Sequence, residues 1–132
     1  MAVMYLDADR FKAVNDTLGH AAGDTVLKEF AKRLTASVRA TDTVARFGGD
    51  EFAAILENLG ARENGLRIAG NIVTAMRADF PLDSGTASIS ASVGIAFHEG
   101  RAEIESARLL KAADGALYAA KAAGRDRYCA AA

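Results

Sequence analysis

Two strand-like runs, Thr43-Val44-Ala45-Arg46-Phe47 and Glu51-Phe52-Ala53-Ala54-Ile55-Leu56, are separated only by Gly48-Gly49-Asp50, and this spacing constrains the chain more than any other feature. Glycine tolerates positive φ and aspartate is at ease in turns, so the segment reads as a tight β-hairpin. Upstream, the apolar run Val3 to Leu6 stops abruptly at Asp7-Ala8-Asp9. That pattern reads as a buried strand delivering acids at its C-terminal end, where α/β folds place their chemistry.

The other elements follow from periodicity. From Asp24 onward Leu27, Phe30, Ala31, Leu34 and Val38 recur at helical spacing among Lys28, Glu29, Lys32 and Arg33, which predicts an amphipathic helix of about four turns. Leu66, Ala69, Val73 and Met76 trace a second helix that stops near Pro81. Ser88 to Phe97 returns to β character, and Leu110, Ala113, Leu117 and Ala120 mark a third helix ending at Gly124. Arg127 to Ala130 reads as a last short strand. The expected class is α+β, an α/β sandwich with one mixed, mostly antiparallel sheet and helices packed against it. With 132 residues and 51% hydrophobic content, the chain supplies the core of a single domain spanning 1–132.

Charge narrows the partners. Sixteen Lys and Arg against seventeen Asp and Glu leave a formal charge of −1, which disfavours a nucleic-acid partner held by bulk charge. An anionic ligand must instead be gripped by placed residues, helix N-termini or metal ions. The longest uncharged run, Ser84 to Phe97, is shorter than the roughly 20 residues a spanning helix needs, and no export signal opens the sequence. The single cysteine, Cys129, excludes a disulfide framework and reads as a small apolar residue of a terminal strand. The expectation is a cytoplasmic domain without membrane contact of its own, compatible with a parent protein anchored through another segment.

The chemistry gathers in two acidic turns. If the first strand lies beside the hairpin, Asp7 and Asp50 face each other across one edge of the sheet. Hard oxygen ligands placed this way suit magnesium, which completes its shell with water and substrate phosphates. Gly48 and Gly49 leave room for a phosphate to approach the backbone. Taken singly, a loop aspartate is an ordinary turn acid and two glycines mark only a hairpin; two glycines followed by two acids and an aromatic carry much more.

The segment Leu6-Asp7-Ala8-Asp9-Arg10-Phe11-Lys12-Ala13-Val14-Asn15-Asp16-Thr17-Leu18-Gly19-His20-Ala21-Ala22-Gly23-Asp24, followed by Arg46-Phe47-Gly48-Gly49-Asp50-Glu51-Phe52, resembles the GGDEF family of diguanylate cyclases. A third match, Ala112 to Arg125, extends the similarity over essentially the whole chain. The resemblance implies a nucleotidyl-cyclase or polymerase-palm-like fold and an enzyme that condenses two GTP into cyclic di-GMP and two pyrophosphates. By that analogy the carboxylates of Asp7 and Asp50 and the carbonyl of Ala8 bind magnesium, with manganese as an alternative, and Glu51 lies near the ribose hydroxyl or a second metal. Whether Asp50, Glu51 or metal activation removes the 3′-hydroxyl proton stays open. Lys12 would neutralise charge on the triphosphate, and Phe11, Gly48 and Gly49 would line the substrate site.

Asn15 and Asp24 match the guanine-recognising residues of the family, and the chemistry agrees: a carboxylate accepts from guanine N1–H and the N2 amine, while an Asn amide donates and accepts. Lys121 and Arg125, four residues apart and so expected on one helix face, match residues that hold the terminal phosphates. Arg39-Ala40-Thr41-Asp42 matches the RxxD product-inhibition site, with Arg67 as a further candidate and Asn71 a weaker one. His20, between Gly19 and Gly23, is expected mostly to shape its turn. Two phosphodiester bonds joining two nucleotides head to tail require two active sites to meet, so the resemblance implies a catalytic homodimer. Family members carry an apolar helix and a D-x-L-T-G-L-x-N-R-like segment before the first strand, and 1–132 is expected to be a GGDEF domain without them. The rival class is a non-catalytic module that binds GTP or cyclic di-GMP.

Overall fold

β1 (Ala2–Asp9) leads into two helices, α1 (Phe11–Leu18) and α2 (His20–Ser37), then the hairpin strands β2 (Thr43–Arg46) and β3 (Glu51–Leu56), and α3 (Arg62–Met76). A two-stranded ribbon, β4 (Phe80–Leu82) with β5 (Gly85–Ala87), precedes β6 (Ser90–Phe97), α4 (Ser106–Ala122) and β7 (Arg127–Ala130). These elements are those of a computed structural model, which describes residues 1–99, 103 and 105–131.

The main sheet has the order β2-β3-β1-β6-β7. Neighbours run antiparallel except β6 and β7, which are parallel because α4 carries the chain back across the sheet between them. The sheet is therefore mixed and mostly antiparallel, as the element order predicts. β1 lies at its centre and is covered on both faces, which explains why Ala2 to Leu6 is apolar without alternation. Ala2, Met4, Leu6 and Ala8 face the larger core, with Phe30, Leu34, Phe52, Ile72 and Met76. Val3 and Tyr5 point the other way, toward Ala113 and Leu109 of α4.

Side-chain chemistry locks the layers. Arg33 of α2 donates to the carbonyls of Ala75, Ala78 and Asp79 at 3.1, 2.8 and 2.7 Å and lies over the Phe80 ring, so it caps the C-terminal end of α3. The end of α4 closes in a Schellman arrangement: Gly124 N–H reaches the Lys121 carbonyl and Arg125 N–H the Ala120 carbonyl. Gly124, at φ +123°, supplies the backbone freedom that this stop requires.

Several boundaries differ from the sequence expectation. Residues 11–18 form a separate helix, too short for its Phe11 and Val14 to establish a period, and α2 begins at His20 rather than near Asp24. Pro81 does not merely end a helix; it sits in β4, a strand of the small ribbon, where its missing N–H is harmless. The hairpin forms where predicted, yet neither Gly48 nor Gly49 has positive φ; the positive-φ glycines among the described residues are Gly19, Gly60, Gly85 and Gly124. Arg46 holds the loop instead, donating to the Gly48 and Gly49 carbonyls.

One glycine sets the distance between layers. A Cβ on Gly94 of β6 would collide with the backbone of Ala113 and Leu117, so α4 rests directly on the strand. Backbone cannot swing aside as a side chain can, and Gly94→Ala is expected to cost about 2–3 kcal/mol. Urea denaturation of the variant measures that loss.

Candidate active site

The two acidic turns converge because of strand register. β1 and β3 pair antiparallel with Asp7 opposite Glu51, which brings the hairpin tip to the C-terminal end of β1. Ala8 N–H then donates to the Asp50 carbonyl at 3.3 Å. Asp7, Ala8 and Asp50 line one depression of about 200 Å³ together with Asp9, Arg10, Phe11, Lys12, Lys121 and Arg125. Larger depressions exist elsewhere, but Asp7 and Asp9 are the charged residues buried as whole residues among those described, and both lie here.

The electrostatics of this end are unbalanced. Asp7 is 7% exposed and pairs through Oδ2 with the Lys121 ammonium, while its Oδ1 is buried and finds no hydrogen-bond partner among the described residues. Asp50 feels the same crowding. Burial and the Asp7 carboxylate hold its carboxyl above the ordinary range, against its own backbone N–H and the Lys121 and Arg46 cations. Buried acceptors are almost always satisfied, so an orphaned carboxylate oxygen beside a second, destabilised carboxylate fits a divalent cation. No group of three or more His, Cys, Asp or Glu able to hold a metal occurs among the described residues, so backbone carbonyls and a substrate must complete such a shell.

The remaining candidates distribute around this centre. Lys12, on the first turn of α1, is exposed at the rim. Asn15 lies one turn further on, against Gly23 of α2, where any Cβ would collide with the Asn15 side chain. The absent side chain thus lets α1 close on α2 and brings Asn15 to the helix that carries the exposed Asp24. Gly19, at φ +91°, makes the turn between the two helices, and His20 opens α2 in an exposed position. Lys121 belongs to the last turn of α4, but Arg125 does not share its helix face, because α4 ends at Ala122. Arg125 reaches the depression from a left-handed residue at φ +63° beyond the helix.

Glu51 lines a neighbouring groove of about 370 Å³ with Tyr5, Phe47, Leu110 and Lys111. Arg39 and Asp42 sit at the opposite end of β2 from the hairpin tip. There they form a closed pair: Arg39 Nε and one terminal nitrogen meet the Asp42 carboxylate at 3.0 and 2.8 Å, and the guanidinium also donates to the Glu57 and Asn58 carbonyls. The Arg39 hydrogen bonds hold the Asp42 carboxyl below its ordinary range despite partial burial. Arg67 and Asn71 are exposed on α3. Asp9 is the site residue that sequence reasoning passed over; its partners lie about 80 positions away, at Ser90 and Ser92.

A mixed sheet with carboxylates at the junction of a central strand and a Gly-Gly-Asp-Glu hairpin defines a nucleotidyl-cyclase-like class, and comparisons make it specific. The family model described as Diguanylate cyclase, GGDEF domain matches residues 1–127, and the chain belongs to that family. It is 48% identical over 126 residues to the diguanylate cyclase TpbB of Pseudomonas aeruginosa, a match covering 95% of this chain and 29% of that protein. The chain thus spans less than a third of that relative's length. The solved GGDEF domain of TpbB superposes with a TM-score of 0.93 at 47% identity, covering 99% of this chain and 76% of that one. The GGDEF domain of DgcB from Caulobacter crescentus, solved in complex with cyclic di-GMP, gives a TM-score of 0.86 at 31% identity, covering 98% and 76%. No helix among the described residues is long and apolar enough to cross a membrane.

The raised Asp50 carboxyl has a stability consequence. A carboxyl whose folded value lies above its unfolded one binds its proton more tightly when folded, so ionisation costs stability at neutral pH and that cost fades as pH falls through the interval between the two. Asp50→Asn is therefore expected to raise the melting temperature of the metal-free protein at pH 7, with the gain disappearing towards about pH 4, the ordinary carboxylate range. Thermal melts across that interval test it.

Proposed function

We propose that this domain condenses two GTP molecules into cyclic di-GMP, releasing two pyrophosphates. The observation that carries the reading is the pairing of Asp7 and Asp50 at one depression whose other walls present Lys12, Lys121 and Arg125. Acids alone would repel a triphosphate and cations alone would bind any polyanion; together they fit a nucleotide that arrives with magnesium or manganese. Asp7, Asp50 and the Ala8 carbonyl would hold the ion, which when bound supplies Lewis-acid polarisation and lowers the pKa of a neighbouring hydroxyl. Glu51, in the adjoining groove, is the second acid available near a ribose.

The chain's own residues then divide the labour. Lys12 neutralises charge on the phosphates, while Lys121 and Arg125 anchor their far end at the close of α4. Phe11 forms part of the wall, and the Gly48-Gly49 loop, free of side chains, lets a phosphate approach the backbone. Asn15 and Asp24 present an amide and a carboxylate from facing helices, matched to the Watson–Crick edge of guanine. Adenine would leave these groups unpaired, at a cost of about 1–3 kcal/mol for each unsatisfied group. In-line attack of each 3′-hydroxyl on the other α-phosphate needs two domains arranged antiparallel, so the working unit is a homodimer. Cyclic di-GMP binding at Arg39, Asp42 and Arg67 would then restrain the enzyme.

Two experiments test this. The full-length protein, incubated with GTP and magnesium, is expected to yield cyclic di-GMP, and Asp50→Ala to lower the rate by at least about a hundredfold, the scale of a lost electrostatic contribution at the reacting centre. GTP binding without product in the wild type would instead establish the non-catalytic module. For regulation, cyclic di-GMP should slow the wild type and act weakly on Arg39→Ala; equal inhibition of both removes Arg39 from the regulatory site.

A further inference from the structure

Asp9 is 4% exposed, less than Asp7, yet it takes no part in the chemistry proposed above. Its carboxylate is fully engaged. Oδ1 accepts from Ser92 Oγ at 2.6 Å, and Oδ2 accepts from Ser90 Oγ at 2.6 Å and from the Asp126 backbone N–H at 3.1 Å. Both serines belong to β6, on the sheet face that Asp7 and Asp9 share, so they fix the carboxylate and aim its remaining lone pair at the turn between α4 and β7.

That turn is unusual. Gly124, Arg125 and Asp126 have φ of +123, +63 and +49°, so two consecutive non-glycine residues are left-handed. L-residues enter this region singly and at a cost, and a consecutive pair needs external restraint. The restraint converges on Asp126. Its N–H is taken by Asp9, and its Oδ1 and carbonyl accept from Arg77, the residue just past α3, at 2.9 and 3.3 Å. Arg125, immediately before it, thereby lines the depression beside Asp7 and Asp50.

We infer that Asp9 is a positioning residue for substrate binding: its buried carboxylate, held by Ser90 and Ser92, grips the Asp126 N–H and fixes the left-handed turn that presents Arg125 to the nucleotide phosphates. The inference rests on the phosphate-binding role proposed for Arg125. Asp9 holds the turn from the sheet and Arg77 holds it from the end of α3, so these contacts add to the Arg125 N–H bond to the Ala120 carbonyl of α4 in setting the cation.

The test is a double-mutant cycle in the full-length protein, with Asp9→Asn, Arg125→Ala and the combination. Asp9→Asn keeps the size of the side chain, and Ser92→Ala serves as a second, milder perturbation that leaves the charge in place. The expected result is a rise in KM for GTP of about tenfold in Asp9→Asn, the scale of one charge-assisted hydrogen bond, with kcat changed far less. In the Arg125→Ala background the same change should move KM less than about twofold, because a residue acting through Arg125 has nothing left to position. Hydrogen exchange of the peptide containing Asp126 should quicken in Asp9→Asn and, to a smaller degree, in Ser92→Ala. Equal effects on KM in both backgrounds, a loss confined to kcat, or unchanged exchange at Asp126 would each overturn the inference. If the wild type makes no cyclic di-GMP, the catalytic reading fails by itself, and GTP affinity in the same four proteins decides the role of Asp9.

Discussion

Two carboxylates, Asp7 and Asp50, share one ammonium, Lys121, at the end of the central strand, and the rest of the domain is arranged to keep that imbalance in place. Like charges at short range push each other apart, and burial strengthens the repulsion. A loop would relax. Here Asp7 is fixed by a strand paired on both sides, and Asp50 by a hairpin whose register with β1 runs unbroken from Ala2 opposite Leu56 to Asp7 opposite Glu51. A slip by one residue would turn Phe52, Ala54 and Leu56 out of the core, so the hydrophobic effect holds the acids together although electrostatics opposes it. Stability is spent at the site and recovered in the core, which is how strained groups are kept in a fixed arrangement.

Much of this was legible because the signals are local and redundant. Gly48 to Phe52 gives a turn, two acids and a strand start within five residues, and the short apolar run before Asp7 reads as a buried strand. The juxtaposition of Asp7 and Asp50 then followed from placing the first strand beside the hairpin. What was not legible depended on backbone geometry or on distant partners. The face shared by Lys121 and Arg125 was inferred from four-residue spacing, but the helix stops at Ala122 and the chain turns left-handed, a conformation that an arginine does not announce. Asp9 is indistinguishable from Asp7 by local pattern; only β6, brought alongside by the sheet, shows that one acid is satisfied by serines and the other is not. The glycines of the hairpin carry a similar lesson. They were expected to supply positive φ, and they supply an open loop stapled by Arg46 instead.

The two sites proposed for the chain occupy the two ends of one hairpin, and their charges behave oppositely. At the tip, Asp50 faces Asp7 and its carboxyl is raised; at the base, Asp42 meets Arg39 and its carboxyl is lowered. The base is sealed by contacts that cross from the start of β2 to the end of β3, with Asp42 accepting the Glu57 N–H and Arg39 donating to the Glu57 and Asn58 carbonyls. Linkage orders their responses to acid. As pH falls from neutrality, Asp50 gains its proton first, which relieves the tip, while the stabilisation from ionised Asp42 persists until pH drops below the ordinary carboxylate range. Acid therefore protonates Asp50 before it breaks the Arg39–Asp42 clasp. A ligand that takes these Arg39 N–H groups displaces their acceptors on Asp42, Glu57 and Asn58, so binding there competes with the contacts that close the hairpin whose far end carries Asp50.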